Sequence, residues 1–247
     1  MKLLKRPKES LILLLTLILL VSMTSFSIVQ VITNLLAGVI SCLLFDAFFL
    51  KLRKIKLFKL SAAFATGLIL AILISPSAPL YVFVTASLAA MFSKNFIRLK
   101  NFHVFNPAAF GAFTSLIIFN IPISWWAVSY SLTPALITII GVGYITIIKL
   151  KKLPVLVSFY TALIITFLLL NVPLQAIFDY TAIFFVFVML CEPMTSPNKK
   201  TLQLAYGGLA ALLSFTLPAE LVKDPVIFSL LLVNGMGFYF ERVTQKI

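Results

Sequence analysis

Charge is what this sequence has least of: Asp, Glu, Lys and Arg make up 11% of 247 residues, against 62% hydrophobic. So little polar surface cannot cover a globule of this size in water, which leaves lipid as the solvent. Histidine occurs once, at position 103, and a single imidazole excludes a bis-histidine haem. The two cysteines, Cys42 and Cys191, stand alone inside apolar stretches, with no CxxC or His/Cys spacing. They read as small core hydrophobes, and no metal centre is expected. There is no glycine-rich phosphate loop and no dinucleotide fingerprint, so NAD(P)H or iron-sulfur chemistry has to be supplied by partner subunits.

The charge that is present is one-sided. Twenty Lys and Arg against seven Asp and Glu give a net charge of +13. The cations lie in clusters between apolar runs, without the aromatic interleaving that stacks bases, so nucleic acid is not the expected partner. The apolar runs are 11–32, 35–50, 60–74, 80–92, 106–120, 131–148, 154–170, 175–191, 201–217 and 225–241. The first, preceded by Lys2, Lys5, Arg6 and Lys8, is longer than a signal-peptide core and has no A-x-A site, so it reads as a retained span.

The reading is therefore an all-α polytopic membrane protein with ten spans in a single transmembrane domain, 1–247. Lys and Arg are retained on the cytoplasmic side during insertion. With both termini cytoplasmic, the inner loops hold Lys51, Arg53, Lys54, Lys56 and Lys59, then Lys94, Arg98 and Lys100, then Lys149, Lys151 and Lys152, then Lys199 and Lys200. Arg242 and Lys246 follow the last span; only Lys223 falls outside, so nineteen of the twenty cations share one side. Removing one span would invert every later loop and destroy that bias. The expected location is the inner (plasma) membrane, and Trp125, Trp126 and Tyr130 read as outer-interface anchors.

Short runs after proline clusters, such as 80–92 after Ser75-Pro76-Ser77-Ala78-Pro79, mark an inverted repeat with discontinuous helices. Ser75-Pro76 corresponds to Glu192-Pro193, and Asn106-Pro107 to Asp224-Pro225, which places repeat 1 at about 11–120 and repeat 2 at about 131–241.

Two polar segments interrupt the apolar pattern. In the first, His103 to Gly111, Asn106 stands at a helix N-cap and Pro107 at the first helical position; the free N–H groups of such a helix start suit an anionic or carbonyl-rich ligand. The second, Cys191 to Thr201, places Glu192, Thr195, Ser196 and Asn198 where the chain breaks between two runs. An even number of crossings brings both segments to the cytoplasmic face, where they form one site. Asp46 and Asp179, inside apolar runs, are ion-pathway candidates, because ionisable groups in lipid are costly. The alternative for Asp46 is a structural pair with Lys51 or Arg53 near the inner boundary.

HVFNPAAFG at His103–Gly111 and EPMTSPNKKTLQLAYGG at Glu192–Gly208 resemble the two signature segments of the NqrB/RnfD family, the membrane subunits of the sodium-pumping NADH:quinone oxidoreductase and the Rnf complex. KLSAAFATGLIL at Lys59–Leu70 and the basic SKNFIRLKNF stretch extend the likeness over most of the chain. The resemblance implies a ten-helix inverted repeat of urea-channel type, a flavin, and partner redox subunits. It also implies departures. The family's covalent FMN hangs from a threonine in an S-G-A-T type outer loop; here the corresponding stretch offers Thr133 in Ser131-Leu132-Thr133-Pro134, without those small residues, so covalent FMN is not expected. Glu192 stands where the family motif commonly has Asp.

The chain is similar to the short, stand-alone members of that family. The expected function is a membrane component of flavin-linked electron transport with coupled cation movement. His103, Asn106, Pro107, Glu192, Thr195, Ser196 and Asn198 would contact a non-covalent riboflavin or FMN. The competing readings are an inverted-repeat channel or transporter for a small polar solute, without redox activity, and a structural anchor for a partner dehydrogenase.

Overall fold

The computed structural model describes residues 7–55, 60–99 and 102–243. Lys2, Lys5, Arg6, Lys56, Lys59, Lys100 and Lys246 of the expected inner charge belts lie outside the described residues. Among the described residues, ten helical rods follow the order of the ten apolar runs: α1 (Pro7–Ser22), α2 (Ile28–Leu52), α3 (Ser61–Leu73), α4 (Leu80–Phe96), α5 (Pro107–Phe119), then, after the four-residue α6 (Trp126–Ser129), α7 (Leu132–Ile137), α8 (Leu153–Leu169), α9 (Tyr180–Phe184), α10 (Lys200–Thr216) and, after the short α11 (Ala219–Val222), α12 (Pro225–Phe238). α7, α9 and α12 continue in wider, i→i+5 turns to Lys149, Leu190 and Val243. The strand content of the described residues is one antiparallel pair, β1 (Arg98–Leu99) with β2 (Phe102–His103).

The architecture is all-α, as expected. Ile28–Leu52 and the continuous Leu132–Lys149 rod are long and apolar enough to cross a bilayer alone. Others are much shorter: α3 and α5 have 13 residues each. At a rise of about 1.5 Å per residue each is about 20 Å long, well under the ~30 Å hydrocarbon thickness. Apolar side chains project outward all round the bundle, including Leu44 on α2 at 65% exposure and Leu169 on α8 at 76%. A surface of this kind is explained by lipid contact rather than water.

The first loop is displaced from its expected place. The sequence pattern put a break near 33–34; the chain instead turns at Met23–Ser27 and α2 begins at Ile28. Ser22 and Thr24 turn their hydroxyls back on the carbonyls of Leu19 and Val21, which ends α1. Asn34 stays inside α2 because its amide donates to Ser75 O at 3.4 Å, so a polar residue in an apolar run is no break here.

Three pairings recur in the two halves: α1 with α3, α2 with α4, and α4 with α5 in the first; α7 with α9, α8 with α10, and α10 with α12 in the second; among the described residues the extensive packing of α2 on α3 has no comparable counterpart between α8 and α9. The α4–α5 pairing depends on Gly111, where any Cβ would collide with Ala86 O and stand 2.8 Å from Ala90 Cβ. The α2–α3 crossing is equally close: a Cβ on Gly67 would stand 2.6 Å from Val39 Cα.

Trp125 and Trp126, expected as interfacial anchors, are instead packed inside the protein, at 8% and 4% exposure. Trp126 Nε1 donates to Ala71 O at 2.8 Å near the end of α3, and Trp125 meets Phe184 and Phe185 edge-on. The short α3 leaves space above its C-terminal end, and the loop after α5 folds into it.

Candidate functional site: a cavity between the two polar segments

Asn106 caps α5: its Oδ1 accepts from Ala109 N at 3.0 Å, and Pro107 occupies the first turn, where no N–H is needed. The rest of Asn106 is used across the bundle. Its backbone N donates to Asn234 Oδ1 of α12 at 2.8 Å, and its Nδ2 to Met189 O at the end of α9 at 3.3 Å. Asn234 in turn donates to the hydroxyl of Tyr206 on α10. A buried amide network of this kind fixes the start of α5 against the second half of the chain.

Beside it, β2 delivers His103, and the α9 terminus delivers Glu192. His103 Nε2 lies 3.3 Å from Glu192 Oε1. The two polar segments, 89 residues apart in sequence, therefore touch. They border a cavity of about 360 Å³ whose walls are mainly apolar, from Leu11, Leu50, Ile69, Val142, Ile145 and Val188, with His103, Asn106, Pro107, Glu192, Asp46 and Thr66 as polar or capping elements. Lys8, Lys94 and Arg98 also reach it. Burial, and then the neighbouring Arg53, depress the pKa of Arg98, so cations are crowded at this end of the bundle.

Thr195, Ser196 and Asn198, expected to touch a ligand directly, are not in the cavity wall. They brace Glu192 and its loop. Ser196 Oγ donates to Glu192 O at 2.6 Å, and Thr195 Oγ1 to Glu192 Oε2 at 3.4 Å. Asn198 Oδ1 accepts from Lys152 Nζ at 3.3 Å. Lys152, read from sequence as a loop cation, is 1% exposed and donates also to Pro197 O at 2.7 Å and Ser196 O at 3.4 Å. Gln203 and Glu241 hold the same loop, Gln203 through Pro197 O and Glu241 through the N–H groups of Asn198 and Lys199. Sequence pattern missed Lys152, Asn234, Tyr206 and Glu241; a lone Asn in an apolar run was the available signal for Asn234.

Asp46 is completely buried and lines the cavity. Its partners are not Lys51 or Arg53. Oδ2 accepts from Lys94 Nζ at 2.7 Å and Oδ1 from Asn95 Nδ2 at 2.8 Å, while Arg53 reaches only the far side of Asn95, at 3.4 Å. The helical rotation of α2 turns Asp46 toward α4 and away from its own last turn. Asp179 and Thr133 lie at the other end of the bundle. Asp179 is an exposed N-cap of α9, accepting from Thr181 N and Thr181 Oγ1 at 2.8 Å, so it carries none of the desolvation cost that made it a candidate. It borders a second, smaller cavity of about 60 Å³ with Thr181, Ser214 and Val226. Thr133 is exposed in the first turn of α7. At this far end, Lys223 donates to Asn120 Oδ1 beyond α5, at 2.9 Å.

The family model described as NQR2, RnfD, RnfE matches residues 3–135, just over half of the chain. This chain belongs to the NQR2, RnfD, RnfE family. Its members are membrane subunits of the Nqr and Rnf electron-transport complexes, which are inner-membrane assemblies. The matched region contains α1 to α5, with Asp46, His103 and Asn106, whereas Glu192 and its loop lie beyond it. No curated protein matches the chain. For this NqrB/RnfD-type chain, a flavin is the group to test against the cavity, and the residues present fit one. The volume is in the range of small-molecule sites, the walls are apolar enough for a planar ring, and a few polar groups punctuate them.

Proposed function

We propose that this chain is the membrane component of a flavin-linked electron-transport system, and that its large cavity binds riboflavin or FMN non-covalently between the His103 and Glu192 segments. The observation that carries the reading is the convergence of both segments on one 360 Å³ cavity, joined by the His103–Glu192 contact. His103 and Glu192 would hydrogen-bond the ring edge, Asn106 and Pro107 would form its end wall, and the aliphatic residues would exclude water. A flavin bound there supplies one- and two-electron transfer, with donor and acceptor on partner redox subunits. Thr133 lies at the end remote from this cavity, so a flavin held in the cavity would be non-covalent.

We further read the two halves as inverted repeats in the inner (plasma) membrane, with the large cavity on the cytoplasmic side. The two cavities support this. Lys94 and Ser214, the fifteenth residues of α4 and α10, line the large and small cavity respectively; so do Ala62 and Thr181, second in α3 and α9, and Ala108 and Val226, second in α5 and α12. The same equivalence favours a second reading, a route for a small polar solute between the two ends.

Purified protein should carry a visible flavin absorbance that is released on acid precipitation. Asn106→Ala removes the two intraprotein hydrogen bonds that hold the cavity's end wall in place, about 1 kcal/mol each, and through the loosened wall should lower flavin affinity about fivefold or more. A colourless preparation that moves solute across liposomes would select the second reading instead.

A further inference from the structure

Asp46 is a carboxylate without surface, set inside a transmembrane rod, and such a group needs a counter-charge. Hard cations are held by carboxylate and carbonyl oxygens of this kind. Here the position is filled from within the chain. Lys94 Nζ sits 2.7 Å from Oδ2, Asn95 Nδ2 sits 2.8 Å from Oδ1, and Asn95 is itself held by its Nδ2–Met91 O bond at 3.0 Å and by Arg53. Lys94 is only 15% exposed, and both it and Asp46 open on the large cavity. An ion arriving from the cavity would meet the ammonium before it met the carboxylate.

We propose that Lys94 is a tethered counter-ion occupying a latent monovalent-cation site on Asp46, so that the native chain is indifferent to sodium at this carboxylate and acquires a sodium site when the lysine is removed. The inference goes beyond the flavin reading and does not depend on it, because it concerns a carboxylate–cation pair that exists whether or not a cofactor binds. Its physical basis is substitution of like for like: an ammonium group and a partly hydrated alkali cation are similar in size and equal in charge. Lys94→Met keeps most of the side-chain volume but deletes the charge. That leaves Asp46 buried with Asn95 alone, beside a cavity from which a cation can enter.

The test is thermal unfolding of detergent-purified protein in sodium chloride and in N-methylglucamine chloride at matched ionic strength. The parent protein should show the same midpoint in both salts. Lys94→Met should melt several degrees lower in N-methylglucamine and regain at least half of that loss in sodium, by ordinary binding linkage. The gain should vanish in Asp46→Asn/Lys94→Met. Should Lys94→Met not be recovered folded, Lys94→Ala purified with methylammonium is the second variant, with methylammonium expected to stabilise it more than N-methylglucamine does. The proposal is overturned by a folded Lys94→Met, or Lys94→Ala, that ignores the small cation. Equally fatal is a sodium-specific stabilisation of the parent that Asp46→Asn abolishes. The parent measurement can overturn the proposal even if neither lysine variant folds, and none of these readouts requires bound flavin.

Discussion

Replacing Lys152 with methionine is expected to destabilise the protein by about 1–3 kcal/mol, a sizeable part of the stability of a typical domain. The size follows from what would be left behind. Methionine fills the tunnel of the lysine stem, so little cavity forms. Pro197 O retains Gln203 Nε2 as a donor, but Ser196 O and Asn198 Oδ1 lose the ammonium at 3.4 and 3.3 Å. Ser196 O is then a buried acceptor without the ammonium, at a cost of about 1–3 kcal/mol, whereas Asn198 is exposed and its Oδ1 turns to water. Relief of the lysine's own desolvation works in the opposite direction; it does not cancel the loss, because the acceptors stay in place and only one side of the interaction is removed. Lys152→Arg is no rescue, since the larger planar guanidinium does not fit a pocket shaped for a point charge. Thermal unfolding in detergent measures the effect, and the exposed neighbour Lys151→Met, expected within about 0.5 kcal/mol of the parent, is the control. Flavin affinity should fall as well, because the loop that Lys152 holds carries Thr195 and Ser196, and these position Glu192.

The second large effect is steric. Gly111→Val should abolish a monodisperse folded protein, and even Gly111→Ala should cost about 1–3 kcal/mol or more as overpacking. The obstacle is the backbone of α4, Ala86 O, which cannot swing aside as a side chain would. Helices α4 and α5 would have to separate, and α5 begins at Asn106, so the cavity wall would move with them. Gly208 makes the contrast. A Cβ there meets nothing within 4 Å, so Gly208→Ala should be neutral or stabilise α10 by up to about 1 kcal/mol through helix propensity alone. Size-exclusion profiles and melting midpoints of the three variants separate a crossing that needs glycine from a glycine that is incidental.

These two cases also show where reading from sequence stops. Asn106-Pro107 was legible because a cap is local: the side chain and the amide it binds are three residues apart. The helical order was legible because hydropathy reports burial in lipid or protein without regard to direction. The meeting of the His103 and Glu192 segments followed from counting loops, which parity alone decides. Rotation about a helix axis is different. Whether Asp46 faces Arg53, two turns on, or Lys94, 48 positions on, depends on how α2 packs against α4, and no local pattern encodes that. The same holds for Lys152, whose charge and flanking lysine suggested a solvated loop, and for Trp126, whose indole found a carbonyl inside the protein rather than a headgroup. The expected break between the first two helices was misplaced because the partner that keeps Asn34 inside α2 is a carbonyl of the distant α3–α4 loop, Ser75 O.

The burial of Lys152 bears on how the sidedness of this protein can be mapped. An amine-acylating reagent admitted to the end of the bundle that holds the large cavity should modify Lys151 and pass over Lys152, although the two are adjacent in the chain. A peptide map would then show one protected amine beside a reactive one, and a silent lysine in such an experiment marks a closed loop rather than the opposite side of the bilayer.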